Sequence, residues 1–285
     1  MNKLFKYLFI VSGASFFVTL ILILYGKGET AGPFLILSLL LLALGMRSTK
    51  KWKGFSFTVL IFAAVSLSLY FPQSLVQIGD FQYKKLIVPL LQIIMFGMGT
   101  AMSFNDFYGV IKMPKGVLIG LVCQFSIMPI LGFGLASLFN FPPEIAAGVV
   151  LIGSSPSGLA SNVMAYLAKA NVALSVTLTA VATIIAPFMT PLLMKYLAGS
   201  FVPIDFYAMM ISIFKMVILP VVLGLVFNYF FQGKAKWLDK AMPIVSMSAI
   251  ALIIMIITAA GRDSLLSIGL LLVVIAIIHN LMGYL

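Results

Sequence analysis

Charged residues are scarce in this chain. Only 9% of its 285 residues are charged and 62% are hydrophobic, whereas about a quarter of the residues in a soluble domain are charged. So little polar surface cannot cover a water-soluble fold, and the composition therefore predicts an integral membrane protein. The chain also has one cysteine and one histidine. This excludes an intramolecular disulfide and a metal cluster built from those two residue types.

Acidic residues are missing from the interior of every apolar run. All seven lie at the end of a run or in a loop: Glu29, Asp80, Asp106, Glu144, Asp205, Asp239 and Asp263. A proton relay of intramembrane carboxylates is therefore not predicted. A serine hydrolase is disfavoured because His279 has no acid nearby and there is no G-x-S-x-G elbow. We expect neither an enzyme nor an organic cofactor.

Long uncharged runs fill most of the sequence. There are ten, of 17 to 28 residues: 7–25, 30–46, 54–79, 86–105, 116–143, 145–168, 170–194, 216–233, 241–261 and 264–285. About 20 apolar residues in a helix cross the hydrocarbon core. Strands of a membrane barrel would be about 10 residues long and alternate in polarity. The runs therefore predict an all-α, polytopic transmembrane helix bundle.

The formal charge of +11 follows the membrane topology. With the N-terminus in the cytoplasm and ten alternating spans, 12 of the 18 Lys and Arg residues fall inside, five fall outside, and Lys215 lies within a span. This asymmetry is the positive-inside rule, so we expect the lipid bilayer as partner and no nucleic acid. The first run lacks a small-residue cleavage site, which favours a retained span over a signal peptide. We expect a multi-pass protein, in the inner (plasma) membrane if the source is bacterial.

The stretch from 153 to 179, GSSPSGLASNVMAYLAKANVALSVTLT, is unusually polar for its surroundings. Pro156 removes a backbone donor and Gly158 weakens a helix, so we expect a helix broken between about 153 and 162. In transporters, a new helix beginning at such a break holds an anionic group, and unwound carbonyls hold a cation. Ser161 and Asn162 follow the break and add neutral oxygens. Ser175 and Thr179 are four residues apart on one helix face.

A structural alternative is equally open at this point. The same residues could form a kinked helix whose Ser and Asn side chains bind neighbouring helices. Two ionisable side chains inside spans are also open to two interpretations. Lys215 is a functional candidate, although a long side chain near a helix end can reach the interface instead. His279 is expected to hydrogen-bond another helix rather than to bind an ion.

The 153–179 stretch resembles the signature of the bile acid:sodium symporter family, a G-x-x-P-x-G-x-x-S-N-V-x-x-x-x-A-x-x-N-x-A-L-S pattern. Similarity extends over about residues 55–285 and includes IIMFGMG (93–99), QFSIMPILGF (124–133) and HNLMGYL (279–285). The resemblance implies an inverted-repeat symporter that moves an organic anion with Na⁺ by alternating access. By position, it assigns the first sodium site to Ser161, Asn162, Ser175 and Thr179, and Gln124 to the second.

The substrate is expected at the break, beside Ser157, Gly158 and Leu159. Relatives often have Thr where this chain has Leu159, so a hydroxyl near the substrate is missing and a pose like that of a bile acid is disfavoured. Bile-acid-like anions and small carboxylates such as pantoate both suit a helix end. The oligomeric state does not follow from the sequence.

The family pattern also predicts the domain organisation. Residues 1–50 would form two additional N-terminal transmembrane helices, and 51–285 a symporter-like membrane domain. The family's second broken helix, with its Glu, Met, Gln and Asn motif, has no counterpart in the sequence, so the last two helices and part of the second repeat are expected to be missing. Three explanations are open: an incomplete gene product, a non-transporting membrane scaffold derived from the family, or a second subunit that supplies the helix.

Overall fold

A computed structural model describes residues 3–47, 52–158, 160–231 and 236–283. The described chain is helical apart from its turns and one short antiparallel pair, β1 (Gln77–Ile78) and β2 (Phe81–Gln82). The α-helices are α1 (Lys3–Leu24), α2 (Gly28–Arg47), α3 (Ser56–Tyr70), α4 (Gln73–Val76), α5 (Ile87–Ala101), α6 (Phe104–Lys112), α7 (Pro114–Leu138), α8 (Pro143–Ser154), α9 (Ala160–Leu167), α10 (Val172–Leu197), α11 (Phe206–Ile213), α12 (Leu219–Phe231), α13 (Lys236–Ala260) and α14 (Arg262–Met282).

Length and composition allow eight helical segments of the described chain to cross a membrane. They are Tyr7–Leu24, Gly28–Arg47, Tyr83–Ala101, Pro114–Leu138, Val172–Ser200, Phe206–Phe231, Ala241–Ala260 and Arg262–Met282. Two shorter apolar helices, Ser56–Tyr70 and Pro143–Ser154, fall in the remaining two of the ten runs. The predicted all-α, polytopic membrane bundle is therefore confirmed. Lys215 lies in a single π-helical turn, Phe214–Ile218, with its side chain exposed.

The chain forms two compact units, the first made of Met1–Ile94 and Ala241–Gly269 and the second of Met95–Lys240 and Leu270–Leu285. In the first unit, serine hydroxyls bind α1 to α2. Ser12 Oγ donates to the Ser38 carbonyl at 2.9 Å, and Ser38 Oγ donates back to the Ser12 carbonyl at 3.0 Å. Because helices in lipid gain little from apolar contact with each other, such bonds are a principal means of association.

The same unit places α3 against α2 and α13. Ser56 Oγ donates to the Ala43 carbonyl at 2.7 Å, which links the start of α3 to the end of α2. Farther along α3, the fully buried Ser68 donates to the Met255 carbonyl of α13 at 2.9 Å. Arg262 Nε donates to the Leu69 carbonyl at the last turn of α3. Helix α3 is therefore bonded to α2 near its start, to α13 near its end, and to the first residue of α14.

Glycines bring helices of the second unit into backbone contact. A Cβ added at Gly99 of α5 would collide with the Val221 carbonyl of α12, and one at Gly224 of α12 would collide with the Phe96 carbonyl. Small residues permit this close approach in lipid. Met98, Met102, Ala180, Val221 and Leu225 form a buried cluster in this unit.

His279 of α14 is buried beside α7 and α8, and only 3% of its surface is exposed. Its Nε2 lies 3.0 Å from the Met128 carbonyl. A carbonyl can only accept, so Nε2 carries the proton and donates. The prediction that His279 hydrogen-bonds another helix is confirmed.

We expect Gly99→Ala to destabilise the second unit by about 1–3 kcal/mol, because the new methyl group overpacks the contact with α12. Gly134→Ala on α7 is the matched control, since a Cβ there meets no atom within 4 Å. That substitution should be neutral or stabilise by up to about 1 kcal/mol. The measurement is the thermal unfolding midpoint of each purified variant in detergent. Equal midpoints for the two variants would contradict the proposed contact.

Candidate functional site

The helix that begins at Pro143 is broken near the middle of the chain. Helix α8 ends at Ser154, and α9 begins at Ala160. Residues 155–158 are not helical, which follows from the missing N–H of Pro156 and the conformational freedom of Gly158. The predicted break is confirmed. Leu159 lies outside the described residues.

Carbonyl groups at the end of α8 receive hydrogen bonds from two other helices. Thr190 Oγ1 of α10 donates to the Ser154 carbonyl at 2.7 Å, and both residues are buried. Gln124 Nε2 of α7 donates to the Ser155 carbonyl at 2.9 Å. An unpaired carbonyl would cost several kcal/mol in a membrane. These two donors therefore allow α8 to end inside the protein.

Four of the predicted cation ligands come together just after the break. Asn162 Oδ1 accepts from Ser175 Oγ at 2.7 Å and from Thr179 Oγ1 at 3.4 Å. Thr179 Oγ1 also lies 3.4 Å from Ser161 Oγ and 3.2 Å from Ser157 Oγ. The cluster joins α9 to α10, and Thr179 at its centre is only 2% exposed.

Local sequence sets the angle at which α10 meets this cluster. Lys169 adopts a positive φ of 55°, and the Ala170 N–H bonds the Ala165 carbonyl at 2.9 Å, as in a Schellman turn that ends a helix. Asn171 then caps α10, because its Oδ1 accepts from the Leu174 N–H at 3.0 Å. Ser175 and Thr179 follow on the face that meets α9.

A cavity of about 330 Å³ adjoins the cluster. Of the predicted residues, Gln124, Ser157, Ser161 and Ser175 line it. Asn162 and Thr179 do not line the cavity but hydrogen-bond residues that do. Gly158 is exposed, and its carbonyl accepts from Ser161 Oγ at 2.8 Å. Gln124 bonds the end of α8 rather than the Asn162 cluster.

Two residues near the site were not identified from the sequence. Asn171 lines the cavity and caps α10, and an Asn immediately before an apolar helical run is a recognisable N-cap signal. Thr190 has no such signal. It is one of several Thr residues on α10, and only the packing of α10 against α8 shows that it bonds Ser154.

The donor set is suited to a small, hard cation. Such ions prefer several oxygen ligands, including neutral ones. The hydroxyls of Ser175 and Thr179 each lie within hydrogen-bonding distance of the amide oxygen of Asn162. The Ser154 hydroxyl nearby in sequence is fully buried without a hydrogen-bonding partner in the described structure. The described residues therefore fit Na⁺, although none of these oxygens carries a full charge.

Comparison with known proteins agrees with the geometry. Residues 88–268 match the sodium bile acid symporter family. The chain belongs to this family. Its relatives are named as sodium-dependent transporters or cotransporters, and eight helical segments of the described chain are able to cross a membrane. The chain is therefore an integral, multi-pass protein of a sodium-dependent transporter family.

Relatives of the chain come from bacteria, plants and animals. The uncharacterized sodium-dependent transporter YocS of Bacillus subtilis is 39% identical over 231 residues, which are 81% of this chain and 70% of that protein. The probable sodium/metabolite cotransporter BASS1 of Arabidopsis thaliana is 35% identical over 68% of this chain. The human ileal sodium/bile acid cotransporter is 37% identical over 60% of it. The matched residues cover 49% of each of these last two proteins.

We expect Thr190→Val to destabilise the protein by about 1–3 kcal/mol, because it leaves the buried Ser154 carbonyl without a donor. Thr183→Val is the matched control. Thr183 is a buried residue of the same helix whose hydroxyl bonds the Thr179 carbonyl, a group already within the helix. Thermal unfolding in detergent compares the two. If Thr183→Val unfolds at the lower temperature, the Ser154 carbonyl is not the critical acceptor.

Proposed function

We propose that the protein is a secondary active transporter that carries an organic anion together with Na⁺ by alternating access. The convergence of Ser175 and Thr179 on the Asn162 amide oxygen, directly after a broken helix, carries this proposal. Membership of a sodium-dependent transporter family supports it. A helix that only binds its neighbours would not require a break of this kind.

Sodium is assigned to Ser161, Asn162, Ser175 and Thr179. The amide oxygen of Asn162 is the natural centre of this site because two hydroxyls already point to it. When Na⁺ is bound, these hydroxyls would turn their lone pairs to the ion. Gln124 is assigned to a second ion site, on the carbonyl-rich end of α8, where it contacts Ser155.

The organic anion is assigned to the break itself, at Ser157, Gly158 and Leu159. The N-terminus of α9 follows, and this end of the helix dipole carries partial positive charge. Ser157 Oγ lies 3.2 Å from Thr179 Oγ1, so the proposed anion and cation sites share a hydroxyl neighbour. Such proximity would couple the two binding events, since each ion favours the other electrostatically.

The orientation and the domain boundary remain part of the proposal. The distribution of Lys and Arg supports a cytoplasmic N-terminus, in a bacterial inner membrane if the source is bacterial. Helices α1 and α2 precede the first residue of the family match, residue 88. Helix α3 also lies before residue 88, so the boundary itself rests on the sequence resemblance, with residues 1–50 proposed as an addition to a symporter-like domain at 51–285.

A membrane scaffold that no longer transports is the second candidate function. One observation favours it: the side chains that cluster around Asn162, namely Ser161, Ser175 and Thr179, are all neutral, as is Asn162 itself. Measurement of Na⁺-dependent uptake by proteoliposomes decides between the two functions.

We expect Na⁺-dependent uptake by proteoliposomes for at least one acid in a panel of labelled bile acids, pantoate and other organic anions. A sodium gradient should drive accumulation, and an equal potassium gradient should not. Absence of uptake across the panel, with correctly folded protein, would favour the scaffold.

We expect Asn162→Ala to abolish Na⁺-dependent uptake, because it removes the shared oxygen of the proposed ion site. Ser175→Ala should raise the half-saturating Na⁺ concentration by at least roughly 10- to 100-fold, because loss of a proposed ligand should cost no less than loss of an outer-shell partner of a metal ligand. Asn280→Ala is the control, since its exposed side chain donates to the Ala276 carbonyl of its own helix and to no other group among the described residues. An Asn162→Ala protein with unchanged rate and Na⁺ dependence would refute the ion assignment.

A further inference from the structure

The first compact unit contains a groove that the transport proposal does not use. Helices α2, α3 and α13 line a cavity of about 280 Å³. Its walls include the apolar side chains of Leu44, Leu60 and Ile244, which are 52%, 38% and 55% exposed. The groove therefore opens on the outer surface of the unit, where a membrane protein meets acyl chains.

One end of this groove is basic. Arg47, the last residue of α2, lines it and has an exposed side chain. Arg47 makes no ion pair or side-chain hydrogen bond with any residue in the described ranges. The five N–H donors of its guanidinium are thus available to an outside acceptor, and phosphate is the acceptor that this planar group matches best.

The sequence that follows Arg47 is also basic. Lys50, Lys51 and Lys53 follow Arg47 without an intervening acid. Clusters of basic residues next to a membrane span are a sequence mark of anionic lipid recognition. A soluble anion would satisfy the charge but would leave the apolar walls uncovered.

The helices around the groove are held in place by hydrogen bonds. Ser56, which also lines the cavity, bonds the Ala43 carbonyl and sets the distance between α2 and α3. Ser68 bonds the Met255 carbonyl and attaches α13 to α3. The groove is therefore a feature of the folded unit and does not depend on rearrangement.

We propose that this groove binds an anionic phospholipid, with part of one acyl chain between Leu44, Leu60 and Ile244 and the phosphate on Arg47. The site lies within one unit and shares no residue with the proposed ion and substrate site. Its occupant would steady α2 against α13 and make the stability of the protein depend on lipid charge.

The detergent-purified protein is incubated with equal amounts of phosphatidylglycerol and phosphatidylcholine. Native mass spectrometry then measures how much of each lipid the protein retains. Wild type should retain phosphatidylglycerol preferentially. Arg47→Gln should lower its retention by about fivefold, as expected for loss of one basic residue near anionic lipid. Lys27→Gln is the charge-matched control, at the other end of α2 and about 30 Å away for a helix of 20 residues. It should retain lipid like wild type.

A second variant tests the apolar part of the groove. Ser248 lies on the wall formed by α13 and is exposed, so Ser248→Phe should fill the cavity and lower retention of both lipids. Equal retention of the two lipids by wild type would overturn the proposal. So would equal losses in Arg47→Gln and Lys27→Gln, or displacement of the lipid by inorganic phosphate alone.

Discussion

A helix that ends within a membrane protein leaves carbonyl groups that water cannot reach, and the second compact unit is organised around this constraint. The carbonyls of Ser154 and Ser155 at the end of α8 accept hydrogen bonds from Thr190 and Gln124. Helices α7 and α10 must therefore pack beside the break. Once they do, α10 also presents Ser175 and Thr179 to Asn162. The support of the broken helix and the assembly of the polar cluster are two results of one arrangement.

Backbone proximity makes this arrangement possible. Gly116 and Gly120 of α7 face Leu174 and Leu178 of α10, so that the larger side chains occupy the space that the glycines leave. Gly153, just before the break, lies against the Met128 carbonyl, which His279 also contacts. A side chain at such positions would separate the helices and move the donors away from the acceptors that they satisfy.

Much of the site could be predicted because its residues are close in sequence. Pro156 and Gly158 mark the break, and Asn162, Ser175 and Thr179 fall within 24 residues of Pro156. The four-residue spacing of Ser175 and Thr179 places both on one face of α10, and the short turn between α9 and α10 keeps Asn162 close to them in sequence. Gln124 lies on α7, and Thr190 lies farther along α10 than Thr179. Their contacts with α8 therefore depend on helix packing. Gly116 and Gly120 form a G-x-x-x-G pattern, but this pattern alone does not predict their contacts, because it is common in chains rich in glycine.

The sequence by itself determined the environment and the secondary structure. Scarce charge and long apolar runs require a membrane. In lipid a backbone must satisfy its own hydrogen bonds in helices or a closed barrel, and runs of this length without alternating polarity leave helices. Tertiary structure alone decided which polar groups meet. Lipid does not drive helices together by a hydrophobic effect, so their pairing depends on close backbone contact and individual hydrogen bonds. Hydropathy does not record these, as the bond between Ser68 and Met255, 187 residues apart, illustrates.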